Sequence, residues 1–186
     1  MLRSGFVLSG GRSTRMGQDK ALLQFQGAAL ISHVAQAVRE AAGSVVLVGN
    51  PERYGFLGYP VVRDRLPGRG PLGGIYTALR VSKTEWNLVV ACDMPGISAP
   101  VLTALLNRTA ISGGRCVAAM GNNGEPEPLC AVYHRGCLPV LASALRDKRF
   151  KMKDLLKELD AETQVVEPVA LANVNTPAEW KEFEEG

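Results

Sequence analysis

The chain has 186 residues with a formal net charge of +3, and 46% of them are hydrophobic and 21% charged. This length favours one domain with one buried core. The charge is too small to indicate a nucleic acid or a membrane surface as a partner. No apolar run approaches the roughly 20 residues of a membrane span. We therefore expect a single domain over residues 1–186 with neither of these partners.

The N-terminus and the cysteines indicate a cytoplasmic protein. Residues 1–8 are too short for a signal peptide. The four cysteines show no Cys-x-x-Cys spacing, so they indicate neither a zinc site nor a redox pair. We expect reduced, partly buried thiols at Cys92, Cys116, Cys130 and Cys137.

The first part of the chain alternates between predicted strands and helices. Apolar runs predict buried strands at 6–8, 45–48, 61–62 and 86–91. Apolar residues at three- and four-residue spacing predict helices at 30–41 and 101–106. Between them, a Gly- and Pro-rich loop is predicted at 64–74, and the same spacing predicts a helix after that loop. Continuous runs, rather than alternation, are typical of a mostly parallel sheet covered on both faces. We therefore expect an α/β fold with a doubly wound sheet.

The second part of the chain is less regular. Strands are predicted at 117–120 and 129–133, helices at 138–145 and 152–159, and a last strand at 165–166. A short terminal helix is predicted after Thr176, a good cap, with Pro177 at its first position.

The segment 6–20, FVLSGGRSTRMGQDK, predicts an anion site. A short buried strand runs into a loop of small residues, whose backbone N–H groups can approach an anion closely. Arg12, Arg15 and Lys20 add positive charge, which suits a nucleotide triphosphate. The alternative is a glycine-rich surface turn with solvated charges.

Polar residues follow several predicted strands of the first part. The loop 9–20, Asn50, Asp64 and Asp93 all lie within a few residues of the carboxyl end of a predicted strand or begin there. In doubly wound folds ligands bind beyond the carboxyl ends of the strands. We therefore expect these residues to converge on one crevice.

Two carboxylates of this set are candidate metal or nucleotide contacts. Asp93 is the best candidate for Mg²⁺, which prefers oxygen ligands and often binds through one or two carboxylates plus phosphates. Its alternative role is to cap the turn at Pro95. Asp64 is a second carboxylate near the metal or a nucleotide contact, or else a loop residue that pairs with Arg63 or Arg65.

Lys20 and Asn50 also have two interpretations each. Lys20 either neutralises phosphate charge or is a solvated lysine at the start of a helix. At a helix start a cation is not stabilised by the helix dipole. Asn50 hydrogen-bonds the base or sugar, or is a turn residue before Pro51.

No nucleophilic triad or Cys-His pair is apparent in the sequence. His33 lies on the apolar face of a predicted helix and is interpreted as packed, and His134 has no evident partner. This absence fits a reaction in which an anionic phosphate is itself the attacking group. Positioning, cations and Mg²⁺ then suffice for an in-line displacement.

Five segments, in order along the chain, carry a resemblance to a known family. The segment 8–20 matches Leu-x-Gly-Gly-x-Ser-x-Arg-Met-Gly-x-Asp-Lys, and the others are Gly-Pro-Leu-x-Gly-Ile at 70–75, Cys-Asp-x-Pro at 92–95, Pro-Leu-x-Ala-x-Tyr at 128–133 and Asn-Val-Asn-Thr-Pro at 173–177. The chain resembles the bacterial molybdenum cofactor guanylyltransferases, also called molybdopterin-guanine dinucleotide synthases. Ser9 stands where Ala is common and Ala21 where Gly often follows the lysine, and neither departure removes a side chain that the chemistry needs.

The resemblance implies a Rossmann-like, three-layer α/β/α nucleotidyltransferase fold. It implies a nucleotide-binding part at 1–110 and an acceptor-binding part at 111–186. The reaction implied is attack by the terminal phosphate of molybdenum-bound molybdopterin on the α-phosphorus of GTP, which releases pyrophosphate. By this resemblance, the backbone of Leu8, Ser9 and Gly10 would contact guanosine, and Arg15 and Lys20 would bind phosphates. Asn50 and Asp64 would contact the nucleotide, and Asp93 would bind Mg²⁺. Asn173 and Asn175 would contact the acceptor.

Two alternative functions stay open at this point. One is a related nucleotidyltransferase that uses CTP or another phosphate acceptor. The other is a nucleotide-binding regulator without turnover, although Lys20 and Asp93 are both present. The expected partners besides the two substrates are other proteins of molybdenum cofactor biosynthesis or recipient molybdoenzymes.

Overall fold

A computed structural model of the chain describes residues 3–9, 19–174, 179–180 and 183. The strands are β1 (Arg3–Leu8), β2 (Gln24–Phe25), β3 (Ala28–Ala29), β4 (Val45–Val48), β5 (Val61–Val62), β6 (Trp86–Ala91), β7 (Cys116–Met120), β8 (Pro126–His134) and β9 (Glu162–Val165). The α-helices are α1 (Leu30–Ala42), α2 (Pro51–Tyr54), α3 (Gly70–Val81), α4 (Ala99–Arg108), α5 (Leu138–Arg146) and α6 (Met152–Glu158). Short 3-10 helices lie at Lys20–Leu22, Gly55–Leu57, Arg135–Cys137 and Pro168–Leu171.

Seven of these strands form one sheet in the order β5-β4-β1-β6-β8-β7-β9, and β2 pairs with β3 in a separate hairpin. Within the sheet β8 runs antiparallel to both of its neighbours, and the other pairs are parallel. The carboxyl ends of β4, β1 and β6 therefore lie at the same edge as the beginning of β8. The predicted α/β fold with a mostly parallel sheet is confirmed.

Helices cover both faces of the sheet, which gives three layers. One core contains the buried faces of α1 and α4, and the other contains those of α3, α5 and α6. Alternate residues of β1 enter the two cores: Val7 lies in the first, Phe6 and Leu8 in the second. Every residue of β6 is buried, as expected of a central strand between two helical layers.

The end of α1 shows how local sequence sets an element boundary. Gly43 has a φ of +79° and its N–H donates to the Arg39 carbonyl at 2.8 Å, which closes the last turn. A left-handed residue at this position is usually glycine, because glycine has no Cβ. Gly43 thus ends the helix that the apolar pattern predicted at 30–41.

The prediction that 64–74 is a loop is wrong for its last five residues. The helix α3 begins at Gly70, with Pro71 in its first turn. Proline is tolerated there because the first N–H groups of a helix have no intrahelical partner. The density of Gly and Pro, typical of loops, thus concealed a helix start.

Smaller departures concern short or terminal elements. The last strand was expected at 165–166 and ends at Val165, and neither α2 nor the β2–β3 hairpin was expected. Of the predicted C-terminal helix, residues 179, 180 and 183 are helical, and Trp180 and Phe183 pack on Phe25. Thr176 and Pro177 lie outside the described residues. None of the helices in the described part is long and apolar enough for a transmembrane span.

Candidate active site

A small cavity opens at the edge of the sheet where β1 and β6 end and β8 begins. It is lined by Leu8, Ser9, Asp19, Lys20, Ala21, Pro71, Ala91, Cys92, Asp93 and Leu129. Four predicted site residues are among them: Leu8, Ser9, Lys20 and Asp93. The expected convergence on one crevice is therefore confirmed for Ser9, Lys20 and Asp93.

Lys20 and Asp93, which both line this cavity, form an ion pair. The Lys20 Nζ is 2.5 Å from the Asp93 Oδ2, and each side chain is 18% exposed. The Asp93 carboxylate thus contacts Lys20 rather than capping the turn before Pro95. Lys20 is a partly buried partner of Asp93, and the interpretation as a solvated lysine is wrong.

The two carboxylate oxygens of Asp93 differ in their partners. Its Oδ1 is buried and accepts no hydrogen bond from any described residue. A buried anionic oxygen without a donor is costly, and such atoms in native structures commonly mark a metal or ligand position. The donor set of a carboxylate oxygen suits Mg²⁺.

The C-terminal segment is attached to the loop that carries Asp93. The Val174 N–H donates to the Asp93 carbonyl at 3.1 Å. Gly96 lies so close to this segment that a Cβ there would be 2.1 Å from the Val169 carbonyl oxygen. These contacts bring Asn173 next to Asp93, although 80 positions separate them in the sequence.

The backbone of Leu8 and Ser9 is already used within the sheet. The Leu8 carbonyl accepts from the Cys92 N–H at 3.1 Å, and the Ser9 N–H donates to the Val48 carbonyl at 3.0 Å. The Ser9 hydroxyl donates to the same Val48 carbonyl at 2.9 Å. A nucleoside contact by these two residues would therefore have to use remaining carbonyl lone pairs.

Asn50 and Asp64 lie at the same sheet edge but do not line the cavity. The Asn50 Oδ1 accepts the Glu52 N–H at 3.0 Å and so caps α2. The Asp64 Oδ1 accepts from the Leu66 N–H at 3.0 Å and from the Thr77 hydroxyl at 2.9 Å. Among the described residues Asp64 forms an ion pair with neither Arg63 nor Arg65, and Arg63 contacts Glu52. Their nucleotide contacts stay predictions.

A larger open cleft of about 810 Å³ adjoins the cavity. Pro71 and Leu129 line both, so the two lie side by side. The cleft is lined mainly by three segments of the second half of the chain, which are 121–129, 151–154 and the stretch from Pro168 to Asn173. Asn173 therefore lies where a second substrate could approach Asp93.

Glu127 is a half-buried acid that lines this cleft. Its Oε1 accepts the Leu129 N–H at 2.9 Å. Burial raises the pKa of Glu127 above its ordinary value, and the negative charge of Asp93 raises that pKa further. Lys153 and the hydrogen bond from Leu129 act in the opposite direction. No role for this residue was predicted from the sequence.

The cysteines and histidines of the described residues have structural environments. All four cysteines are free and buried. Burial, with a contribution from Asp93, raises the pKa of the Cys92 thiol to about 12, so it stays protonated at neutral pH. His33 packs edge-on against Phe25, as predicted, and His134 packs against Trp86 and accepts the Gly136 N–H. None of these groups is placed as a nucleophile.

Comparison with known proteins decides the family. A family model described as MobA-like NTP transferase domain matches residues 5–163. Relatives named probable molybdenum cofactor guanylyltransferase are 37% identical in Pelotomaculum thermopropionicum and 34% identical in Flavobacterium johnsoniae. The alignments cover 95% and 96% of this chain and 89% and 94% of those relatives. The chain belongs to the MobA-like NTP transferase domain family.

A solved structure supports the same family at the level of the fold. The crystal structure of molybdopterin-guanine dinucleotide biosynthesis protein A from Archaeoglobus fulgidus aligns with a TM-score of 0.82 at 26% identity. The alignment covers 98% of this chain and 97% of that one. The resemblance recognised in the sequence is therefore confirmed, and the chain is a MobA-like nucleotidyltransferase.

Some predicted site residues of this MobA-like chain lie outside the described residues. They are Gly10, Arg12, Arg15 and Asn175, and their predicted roles stay predictions. The division at residue 110 into a nucleotide-binding and an acceptor-binding part stays a prediction as well.

Sequence reasoning missed Asp19 and Tyr54. Asp19 lines the cavity and its Oδ1 accepts the Ala21 N–H at 3.1 Å, which caps the 3-10 helix that begins at Lys20. The Tyr54 hydroxyl lies 2.8 Å from the Asp19 Oδ2. The only signal for Asp19 was its place in the loop motif, and no local pattern marks Tyr54.

Proposed function

We propose that this chain transfers GMP from GTP to the terminal phosphate of molybdenum-bound molybdopterin. An acceptor phosphate oxygen forms a bond to the α-phosphorus, and the bond from that phosphorus to the β-phosphate oxygen breaks. The products are the guanine dinucleotide form of the cofactor and pyrophosphate. The proposal is supported by relatives that align over nearly the whole chain and are named probable molybdenum cofactor guanylyltransferase.

The observation that carries the proposal is the Lys20–Asp93 pair beside a second-substrate cleft. Lys20 supplies positive charge for a triphosphate, and Asp93 has one buried oxygen with no described donor. Because the attacking phosphate is already an anion, the site needs charge neutralisation and alignment but no nucleophilic side chain. The buried, protonated thiols of the described residues fit this chemistry.

The proposed nucleotide side comprises the strand ends of the parallel half of the sheet. We assign guanosine to the backbone of Leu8, Ser9 and Gly10, and phosphates to Arg15 and Lys20. Asn50 and Asp64 follow β4 and β5, further along the same edge, where the base and sugar would extend. The first turn of α3, which reaches the cavity at Pro71, adds a helix N-terminus near the phosphates.

Mg²⁺ is the proposed metal, and Asp93 would hold it. When bound, it would neutralise triphosphate charge and orient the pyrophosphate leaving group. Asn173 and Asn175 are assigned to the acceptor, which would occupy the cleft beside Asp93. Other proteins of molybdenum cofactor biosynthesis or recipient molybdoenzymes are proposed as partners that deliver the pterin or accept the product.

The test is purified protein with GTP, Mg²⁺ and molybdenum cofactor. We expect stoichiometric pyrophosphate release and formation of the guanine dinucleotide, with CTP a poor substitute. Preferential use of CTP would replace the proposal with a cytidylyltransferase. A folded protein that binds GTP without releasing pyrophosphate would replace it with a nucleotide-binding regulator.

A further inference from the structure

The hydroxyl of Tyr54 joins the two ends of the segment that leaves β1 at Ser9 and returns at Asp19. It lies 2.8 Å from the Asp19 Oδ2 and 3.3 Å from the Ser9 carbonyl oxygen. The Tyr54 ring is 3% exposed, so its position is fixed by packing. The residue belongs to α2, which follows a different strand, and so it connects two βα units.

The hydrogen-bond chemistry favours the contact with Asp19. A phenol has one proton to donate, and a bond to a carboxylate is stronger than one to a neutral carbonyl. Burial and the Asp19 carboxylate together raise the pKa of Tyr54 well above its ordinary value, so the hydroxyl keeps its proton. The longer contact with Ser9 is the weaker of the two.

Asp19 is thereby held at both of its oxygens. The Oδ1 accepts the Ala21 N–H, and the Oδ2 accepts from Tyr54 and lies 3.1 Å from the Arg53 Nη1. The Arg53 side chain is 59% exposed, so solvent weakens its attraction to Asp19. Tyr54 is therefore the main group that orients this carboxylate from outside its own turn.

The orientation of Asp19 affects the Lys20–Asp93 ion pair, because Asp19 and Lys20 are joined by one peptide bond. Lys20 follows Asp19 directly and opens the 3-10 helix that Asp19 caps. The Lys20 Nζ then meets Asp93 at the end of β6. A shift of the Asp19 carboxylate would rotate this first turn and move the lysine relative to Asp93.

Two further features hold α2 in the position from which Tyr54 contacts Asp19. The Asn50 side chain caps the helix through Glu52. At Gly49 a Cβ would be 1.8 Å from the Ser9 Oγ and 3.1 Å from the Tyr54 ring, so only glycine lets these groups approach. The contact between α2 and the end of β1 is thus built into the backbone.

We propose that Tyr54 is a positioning residue of the nucleotide site, acting through Asp19 on Lys20 without touching the nucleotide itself. The inference rests on the proposed function in taking the ligand to be GTP. It assigns the short helix α2 to the binding of the triphosphate, although no atom of that helix lines the cavity.

The first experiment compares Tyr54→Phe with Tyr59→Phe. Each change removes one phenol oxygen, and among the described residues the Tyr59 hydroxyl donates to a neutral carbonyl, that of Ser32, at 3.4 Å. Calorimetric titration with GTP and Mg²⁺ is expected to show about tenfold weaker binding for Tyr54→Phe, the loss of one charge-assisted hydrogen bond. Tyr59→Phe is expected to bind as the parent does.

A double-variant cycle with Asp19→Ser tests the route. Serine can still cap the 3-10 helix but is too short to reach Tyr54. If Tyr54 acts through Asp19, adding Tyr54→Phe to Asp19→Ser changes the GTP dissociation constant little further. If the losses of GTP affinity in the two single variants simply add in the double variant, Tyr54 does not act through Asp19. Unchanged GTP binding in Tyr54→Phe would overturn the inference as a whole.

The readouts separate this inference from the proposed function. If the parent protein binds GTP but makes no dinucleotide, the function fails, and the binding comparison still decides the role of Tyr54. If the parent binds CTP instead, the same titrations are made with CTP. A parent protein that binds neither nucleotide contradicts both proposals.

Discussion

At the scale of single residues, the Asp93 carboxylate combines an ion pair with an unsatisfied oxygen. Its Oδ2 contacts Lys20, while its buried Oδ1 has no described donor. A purely structural ion pair would have both oxygens hydrogen-bonded, because leaving one buried and unpaired costs stability. This asymmetry favours a ligand role over a role in folding.

Replacement of Asp93 is expected to remove activity and leave the fold intact. Asp93→Asn keeps the shape but loses the charge, so we expect kcat/KM to fall by about 100-fold or more, as for loss of a principal electrostatic group. Pyrophosphate release measures this, with thermal melting as the check on folding. Asp147→Asn, a half-exposed aspartate in a different ion pair, is the matched control. Near-parental activity in Asp93→Asn would contradict the metal assignment.

Glu127 is expected to give a measurable pH dependence of stability. Because burial raises its pKa in the folded state, the folded state binds its proton more tightly than the unfolded state does. The free energy of unfolding contributed by Glu127 therefore falls as the pH rises from the ordinary glutamate pKa through the raised one. Glu127→Gln keeps an oxygen for the Leu129 N–H, and should remove this decline and stabilise the protein at neutral pH.

Denaturant titrations of Glu127→Gln and the parent across this pH range make the measurement. Glu125→Gln is the control, since the Glu125 side chain is 60% exposed and pairs with Lys153 at the surface. Parallel pH profiles for Glu127→Gln and the parent would show that burial does not govern this carboxylate.

The sequence predicted some of these residues and not others for physical reasons. Asp93 stands directly after an apolar run, where a charged group has few structural uses, and Lys20 ends the cationic, glycine-rich loop that follows the first apolar run. For these two residues local sequence was enough. Tyr54 looks like any aromatic residue in a loop, and α2 has four residues, too few for helical periodicity to show. Its contact with Asp19 spans 35 positions and exists only because β4 pairs beside β1.

At the scale of elements, the start of α3 packs closely against the turn before it and against β1. A Cβ at Gly73 would be 2.7 Å from the Leu66 carbonyl oxygen, and one at Gly74 would be 3.1 Å from the Leu8 side chain. The glycines that made this segment look like a loop in the sequence therefore allow α3 to pack closely against β1 and against the turn that precedes α3. The same turn presents Pro71 to both the cavity and the cleft.

Two glycine-to-alanine changes should have opposite effects on stability. Gly73→Ala must displace the backbone at Leu66, so we expect the free energy of unfolding to fall by about 1–3 kcal/mol. Gly55→Ala, at a right-handed helical φ of −61° with nothing within 4 Å of its Cβ, should be neutral or stabilising by about 0.4–1 kcal/mol. Urea unfolding of both variants makes the comparison, and equal effects would contradict the steric argument.

At the scale of the whole molecule, one sheet edge brings together the residues that we propose for the two substrates. The parallel half of the sheet ends at the cavity, and the reversed strand β8 begins there, which turns the segment 121–129 towards the same edge. Apolar runs predicted the parallel half well. The direction of β8 could not be read from its sequence, because a short buried strand looks the same in either direction.

Mg²⁺ with GTP should stabilise the molecule as a whole. A ligand at about 100 times its dissociation constant adds about 2.7 kcal/mol to the free energy of unfolding. For a domain of this size that corresponds to a rise in Tm of about 5–10 °C. Differential scanning fluorimetry with GTP should show this rise with Mg²⁺ and lose most of it when EDTA is added. A rise that is insensitive to EDTA would contradict the proposed metal.

The central position of β1 has a consequence for the order of assembly. Lys20 and Asp93 are 73 residues apart, and they meet only after β1 has paired with β6. Such non-local pairing is slow because a long loop must close before any contact stabilises it. Helices should therefore form early during refolding, while the capacity to bind nucleotide returns only with the closure of the sheet. A chain interrupted before β6 would keep the glycine-rich loop and lack the carboxylate that completes it.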